Sequence, residues 1–259
     1  MKHLRRSRSI IIASYTLVEA LRSGLPWLAA ACVLAALGLS GFLSQVAITE
    51  AAALQASFCG AMLRACAVFL IAVHVVASTT REANDKGLEL ALALPISRPA
   101  YYVGKLLGFA FAGIMLATLF ALPLLLWAKP ADLVAWWISL AAETVLVSAA
   151  ALFFASALAQ MVAAMAATAG LYLLGRSVAA IQAIAGSPLA GDSLPSDAAR
   201  WAVDAIALLL PRLDSVTRGD WLLYGAPPAS ELFLSLSGLA LYLALLAMAG
   251  LFDFSRRNL

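Results

Sequence analysis

Charge is what this sequence lacks most. Of its 259 residues only 12% are Asp, Glu, Lys or Arg, while 64% are apolar. A soluble domain carries about 25% charged residues and roughly 45–50% apolar ones. The shortfall excludes a soluble globular protein and a disordered chain, and a net charge of only +3 gives nucleic acid nothing to bind. Histidine is nearly absent, so no HExxH zinc motif can be written. Cys32, Cys59 and Cys66 form no CxxC pair and leave one odd, which reads as small apolar residues and not as a disulfide or metal framework. A phosphate-cradling GxxxxGK[ST] loop is missing too: Gly104-Lys105 runs on into Leu106, and no glycine stands five residues before Gly104. No Ser/His or paired-aspartate arrangement points to an intramembrane hydrolase. The polypeptide alone is therefore expected to have no catalytic residue, no metal site and no cofactor.

What the sequence has is long apolar runs. A helix that crosses a bilayer needs ~20 such residues, and burying this much apolar surface needs lipid as a second solvent. The runs predict an all-α integral membrane protein with six spans, at about 25–48, 56–80, 106–128, 133–158, 161–184 and 232–252. They are continuous, not alternating, which excludes a barrel. Ahead of them, residues 9–22 have a polar and an apolar face, with Ile11, Tyr15 and Val18 on one stripe, and predict an interfacial helix lying in the headgroup layer. Glu19 and Arg22 interrupt that stretch and no small-residue cleavage site follows, so a signal peptide is not expected. Lys2, Arg5, Arg6, Arg8, Arg22, Arg81, Lys86, Arg98, Lys105, Arg256 and Arg257 fall on one side of these spans; only Lys129, Arg200, Arg212 and Arg218 fall on the other. The basic side is the cytoplasmic one, which puts both termini inside.

Two connections are long. The one between spans two and three begins with a charged stretch, Arg81 to Lys86, and continues as Leu88 to Leu94, apolar and rich in helix formers. Pro95 ends that segment, Ser97 can cap the next helix, and Pro99 suits its first turn. A leucine-rich helix outside the bilayer wants a groove, in lipid headgroups or on a partner.

The residues Arg81, Glu82, Leu88, Glu89, Leu90, Leu92, Ala93, Leu94, Pro95, Ile96, Ser97, Arg98, Tyr101, Gly104 and Lys105 resemble the signature of the ABC exporter permeases of the second type. The match covers about 25 residues, and Lys86-Gly87 replaces the Gly-Thr usual there. The basic N-terminal helix, the six spans, the long outer connection and the basic end at Phe254-Ser255-Arg256-Arg257 agree with it. The resemblance implies that 82–95 form a coupling helix docked on a separate ATPase subunit, with Glu82, Lys86, Gly87, Leu88, Glu89, Leu90, Pro95 and Arg98 at or beside the contact. It also implies ATP and Mg on that partner and not on this chain, two ATPase copies, a second permease copy (identical or a paralogue), and a bacterial inner membrane location.

Ionisable residues inside spans are costly, about 2.5–3.5 kcal/mol at the bilayer centre on insertion scales. At about 1.5 Å per residue, Glu143 lies roughly 15 Å, and Arg176 and Arg64 each roughly 12 Å, from the outer face. Glu143 and Arg176 share a depth on consecutive antiparallel helices and are expected to pair. Alternatively Arg176 stands on a transport path and attracts an anionic group. Arg64 is expected to snorkel outward, and His74 to make a hydrogen-bonded helix contact. Spans two and five line the central path of the resembled family, which makes Arg64 and Arg176 its polar candidates. Gly104-xxx-Gly108 and the Ala-rich span five with Gly170 and Gly175 permit close helix approach, within the chain or to a second copy.

The outer connection, 186–229, opens with a Gly/Pro/Ser segment. Ser196 is expected to cap a helix through Leu210, with an Arg200–Asp204 pair at i,i+4. The helix lies on the outer interface or dips into it, gates an exit or receives an outer-face protein. Three functions follow: the membrane subunit of an ATP-driven ABC exporter or force-transmitting machine; a non-transporting scaffold or assembly factor; and an ion- or proton-coupled transporter using Glu143, Arg176 and His74. The sparse polarity of the spans fits a lipidic cargo and a mechanical role equally.

Overall fold

The computed structural model describes residues 2–46, 51–85, 97–158, 160–185 and 194–256, with side chains over 9–45, 52–85, 97–158, 160–185 and 201–256. Among these residues helix dominates and no strand occurs. The order is α1 (Lys2–Arg22), α2 (Leu25–Val46), α3 (Ala51–Asn84), α4 (Arg98–Ala121) with a 3-10 turn at Pro123–Leu126, α5 (Pro130–Leu158), α6 (Met161–Ala185), α7 (Leu194–Leu209), α8 (Trp221–Tyr224) and α9 (Ala229–Arg256). Six of them, α2 to α6 and α9, are long and apolar enough to cross a membrane, as expected of a multi-pass membrane protein.

The helices run past the apolar stretches that announced them. α3 continues through Arg81, Glu82 and Asn84, and α4 starts at Arg98, so Glu82 belongs to the end of a span-length helix. Backbone hydrogen bonding does not stop where hydrophobicity stops; it stops at breakers. Pro99 sits in the first turn of α4, where its missing N–H costs nothing. Ser97 does occupy the N-cap position, but its hydroxyl makes no cap bond and is buried without a partner. The remainder of the expected coupling segment, Lys86, Gly87, Leu88, Glu89, Leu90 and Pro95 included, lies outside the described residues.

α5 is the central post. It packs against α3, α4, α6 and α9 and buries Trp136, Leu140, Glu143, Val147, Ala151 and Leu152. α2 lies antiparallel on α3, with the Gln55 side chain donating to the Ser40 carbonyl (2.9 Å) and the Cys59 thiol to that of Ala36 (3.5 Å). By contrast α2, α6 and α9 leave most of their surface outward.

The N-terminal helix departs from expectation. α1 runs parallel to α4 in constant register: Ser9 Oγ donates to the Ala100 carbonyl (3.0 Å), Ile12 faces Gly104, and Thr16 faces Gly108. Ile12, Thr16 and Ala20 form the inner face, whereas the apolar stripe of Ile11, Tyr15 and Val18 is exposed. Beside Ile12 the inner face is made by the small Ala20 and the weakly polar Thr16, residues that allow close helix approach in lipid. The Gly104-xxx-Gly108 pair is therefore taken up by this chain's own first helix and is not free for a second copy. Ideal Cβ atoms there would stand 2.7 Å from Ile12 Cβ and 2.6 Å from Thr16 Cβ.

The outer connection folds back into the bundle. α7 descends along α6, with Gln182 Nε2 donating to Asp204 Oδ1 (2.9 Å). The chain then turns where the Leu213 N–H donates to the Gly175 carbonyl (3.1 Å), and Pro211 fills the space a Cβ at Gly175 would need. Leu213 and Val216 are fully buried with Leu146, Leu239 and Leu246. The helix starts at Leu194, so Ser196 lies inside it and not at its start, where Pro195 suits the first turn. Asp204 takes Gln182 as a partner, and the Arg200 side chain lies outside the described residues. After α8, Gly225 turns at φ +102°, a left-handed conformation that suits glycine, and the Ala226 N–H donates to Asp132 Oδ1 (2.7 Å).

Gly104→Val and Gly108→Val are each expected to lower stability by about 1–3 kcal/mol through overpacking against α1. Gly170→Val, at an open position, is the control. Thermal unfolding of the protein in detergent reads the difference, and equal melting of all three variants would refute the seating of α1.

Candidate functional site

Trp136, Ser139 and Glu143 stand at i, i+3 and i+7 on α5 and so share one face. Arg64 on α3 reaches that face. Its Nη1 lies 2.6 Å from Glu143 Oε2, its Nη2 donates to Ser139 Oγ at 2.8 Å, and its guanidinium lies 5.2 Å from the centre of the Trp136 ring. Arg64 and Glu143 are 1% and 0% exposed, so this pair exchanges water for each other and for Ser139. Snorkelling, expected for Arg64, does not occur, because a carboxylate one helix away offers what the outer interface would have supplied.

Glu143 has a second oxygen, and α6 provides for it. The Tyr172 hydroxyl donates to Glu143 Oε1 (2.8 Å), and Arg176 Nη1 in turn donates to the Tyr172 oxygen (2.8 Å). Arg176 itself stands 3.9 Å from Glu143 Oε1. The expected Glu143–Arg176 pair thus exists only as the long, outer arm of a network whose short arm is Arg64. Two guanidiniums converge on one carboxylate, which leaves an excess positive charge on Arg176, whose side chain is 40% exposed. That side chain edges a cleft of about 400 Å³ between α3 and α6, lined by Ala61, Ala65, Phe69, Ala72, Thr168 and Tyr172 among others.

A second cluster ties the other end of α3 to α4 and α1. Lys105 Nζ lies 2.6 Å from Glu82 Oε2 and 3.6 Å from Glu19 Oε2, and 5.6 Å from the Phe109 ring centre. The Tyr101 hydroxyl donates to Glu82 Oε1, and Ser78 Oγ to Glu19 Oε1 (2.6 Å). Tyr101 also stacks on Phe254 at 5.9 Å, and Arg98 Nη1 approaches the Ser255 carbonyl at 3.5 Å, which brings in the end of α9. Of the residues expected at an ATPase contact, Glu82 and Arg98 are therefore both found beside this latch, at the two rims of the 86–96 segment. His74 packs edge-on to Phe109 at 5.9 Å, and its Nε2 has no hydrogen-bond partner, contrary to the bonded contact expected of it.

Sequence reasoning found Arg64, Glu143 and Arg176 and missed Ser139, Tyr172, Glu19 and Tyr101. The signal was present as spacing: Ser139 with Glu143, and Tyr172 with Arg176, are each i,i+4 and hence neighbours on one helix face. No group of three or more His, Cys, Asp or Glu capable of holding a metal ion occurs among the described residues. No protein-family model and no curated protein matches this chain.

Glu143→Ala leaves Arg64 charged and unpaired in the bundle and is expected to cost about 3–5 kcal/mol. Arg64→Ala should cost a similar amount, and the double variant far less than the sum. Tyr172→Phe removes one hydrogen bond, for roughly 0.5–1.5 kcal/mol. Thermal unfolding in detergent measures all four, and additive single losses would show that the pair is not coupled.

Proposed function

We propose that this chain is the membrane-spanning permease subunit of an ATP-driven transporter of the ABC exporter type, and that it converts work done by a separate ATPase into rearrangement of its spans. The observation that carries this reading is the latch at the rims of the 86–96 segment. Glu82 at the end of α3 and Lys105 and Tyr101 at the start of α4 are joined by a salt bridge and a hydrogen bond, and Glu19 adds α1 to the same cluster. A load applied to the leucine-rich segment between those rims is delivered to three helices together and cannot be absorbed by one flexible joint.

The resemblance of residues 81–105 to the permease signature supplies the partner: an ATPase carrying a P-loop, two copies to a complex, with a second permease copy alongside. ATP and Mg belong to that partner. On this reading the basic end of the bundle faces the cytoplasm of a bacterial cell, with both termini inside, which the distribution of Lys and Arg supports. The α3–α6 cleft becomes one wall of the path, and the infolded outer connection lies at its exit. Proton or ion coupling through Glu143 is the poorer reading, since Arg64 and Tyr172 already occupy both of its oxygens.

Co-purification in detergent with a co-expressed ATPase subunit tests the reading. Glu89→Arg and Leu90→Asp are each expected to reduce ATPase recovery about tenfold or more. Glu82→Gln should leave the ATPase bound but weaken the coupling of hydrolysis to the spans, read as loss of substrate- or lipid-stimulated ATPase activity. An ATPase that stays bound at the wild-type level in both segment variants would remove the contact assignment.

A further inference from the structure

We infer that the α3–α6 cleft is a binding site for an anionic amphiphile, a lipid with a negatively charged headgroup, with Arg176 as the residue that selects the charge. The inference deepens the reading of the cleft as one wall of a transport path by naming the class of molecule that enters it.

The argument begins with charge. Among the described residues Glu143 is the one carboxylate in contact with Arg64 and Arg176, and Arg64 holds it at 2.6 Å while Arg176 stands at 3.9 Å. Tyr172, whose hydroxyl is given to Glu143, can offer Arg176 only its oxygen lone pairs. Among the described residues lining the cleft there is no Asp or Glu. Arg176 therefore brings a cation with spare N–H donors to the edge of a cavity of about 400 Å³. A guanidinium that shares its carboxylate with a nearer guanidinium is incompletely neutralised, and an anion that supplies two acceptor oxygens completes its partnering with short, charge-assisted bonds.

The rest of the cleft decides what carries the anion. Ala61, Ala65 and Ala72 on α3 and Ala169 on α6 make a smooth floor, and Phe69 and Leu173 stand exposed at its edges. Thr168 spends its hydroxyl on the Ala164 carbonyl of its own helix. Such walls have no use for a hydrated inorganic ion but match an acyl chain along their length. A polar head at Arg176 and an apolar tail against the alanines describe one molecule.

The experiment is native mass spectrometry of the permease in detergent, titrated separately with phosphatidylglycerol and with phosphatidylcholine of the same chains, together with an inorganic phosphate competition. Wild-type protein is expected to retain phosphatidylglycerol in preference to phosphatidylcholine. Arg176→Gln should weaken phosphatidylglycerol retention roughly tenfold, the scale of one charge-assisted contact, and leave phosphatidylcholine unchanged. Arg176→Lys should keep most of the preference, which separates charge selection from misfolding. Ala65→Trp, which fills the floor and spares the charge, should lower retention of both lipids. Equal phosphatidylglycerol retention by wild type and Arg176→Gln overturns the site. Full displacement by inorganic phosphate overturns the amphiphile. Lipid exclusion with a dimer that dissociates in Ala65→Trp would assign the cleft to a second copy instead. Because no ATPase is present, loss of ATPase association elsewhere would sink the coupling reading and leave this result standing.

Discussion

The fold turns on one salt bridge in a place where salt bridges are expensive. Arg64 and Glu143 lie fully buried between two span-length helices, each having given up water for the other. The low dielectric that makes an unpaired charge intolerable there also makes the paired geometry strict. Helices that could slide past one another on alanine and leucine alone are held to one register, because a slip of a single residue would strand a guanidinium. Ser139 and Trp136 from the same face of α5 also contact that group, whose Nε stays buried without a hydrogen-bond partner.

Around this fixed point the rest of the bundle is assembled by economy of size. Glycines and alanines bring α1 onto α4 and Pro211 onto α6, where larger side chains would hold them apart. On α1 and α9 large apolar residues such as Ile11, Tyr15, Phe233 and Leu234 are turned outward, while Phe109, Phe120, Trp136 and Leu140 fill the core. An outward surface this apolar is unlike that of a soluble protein, and it follows from the absence of a hydrophobic force between helices already surrounded by hydrocarbon. Polar contacts do the specifying. One cluster sets the middle of the bundle and another, around Lys105, sets the rims of the segment expected to meet the ATPase.

The existence of the spans was legible because lipid requires an unbroken apolar run, and such runs leave no ambiguity with strands. Which charges meet was less so. Depth along a helix follows from counting residues, but direction around the helix axis does not, and Arg64 and Arg176 have similar depths. Counting alone could not choose between them for Glu143, and the structure gives the short contact to Arg64. The same gap explains α1. Its apolar stripe was visible in the sequence, yet a stripe says only that two faces differ, and in lipid it is the smaller, more polar face that turns inward. Infolding of the Pro211–Leu213 turn left no periodic signature, since it depends on a space opposite Gly175 contributed by a different helix.

The seating of α1 on α4 has a consequence for how the chain is made. Ser9 finds its partner at Ala100, 91 residues further along. At a synthesis rate of about 5–20 residues per second, the first helix leaves the ribosome several seconds before the glycines that receive it exist. During that interval its apolar stripe can meet lipid, while the glycine seat on α4 is still to come. Biogenesis thus has a temporal order written into it: α1 precedes its main seat on α4, so in a nascent chain arrested before α4 the contacts open to it are those with α2 and α3, such as Glu19 with Ser78.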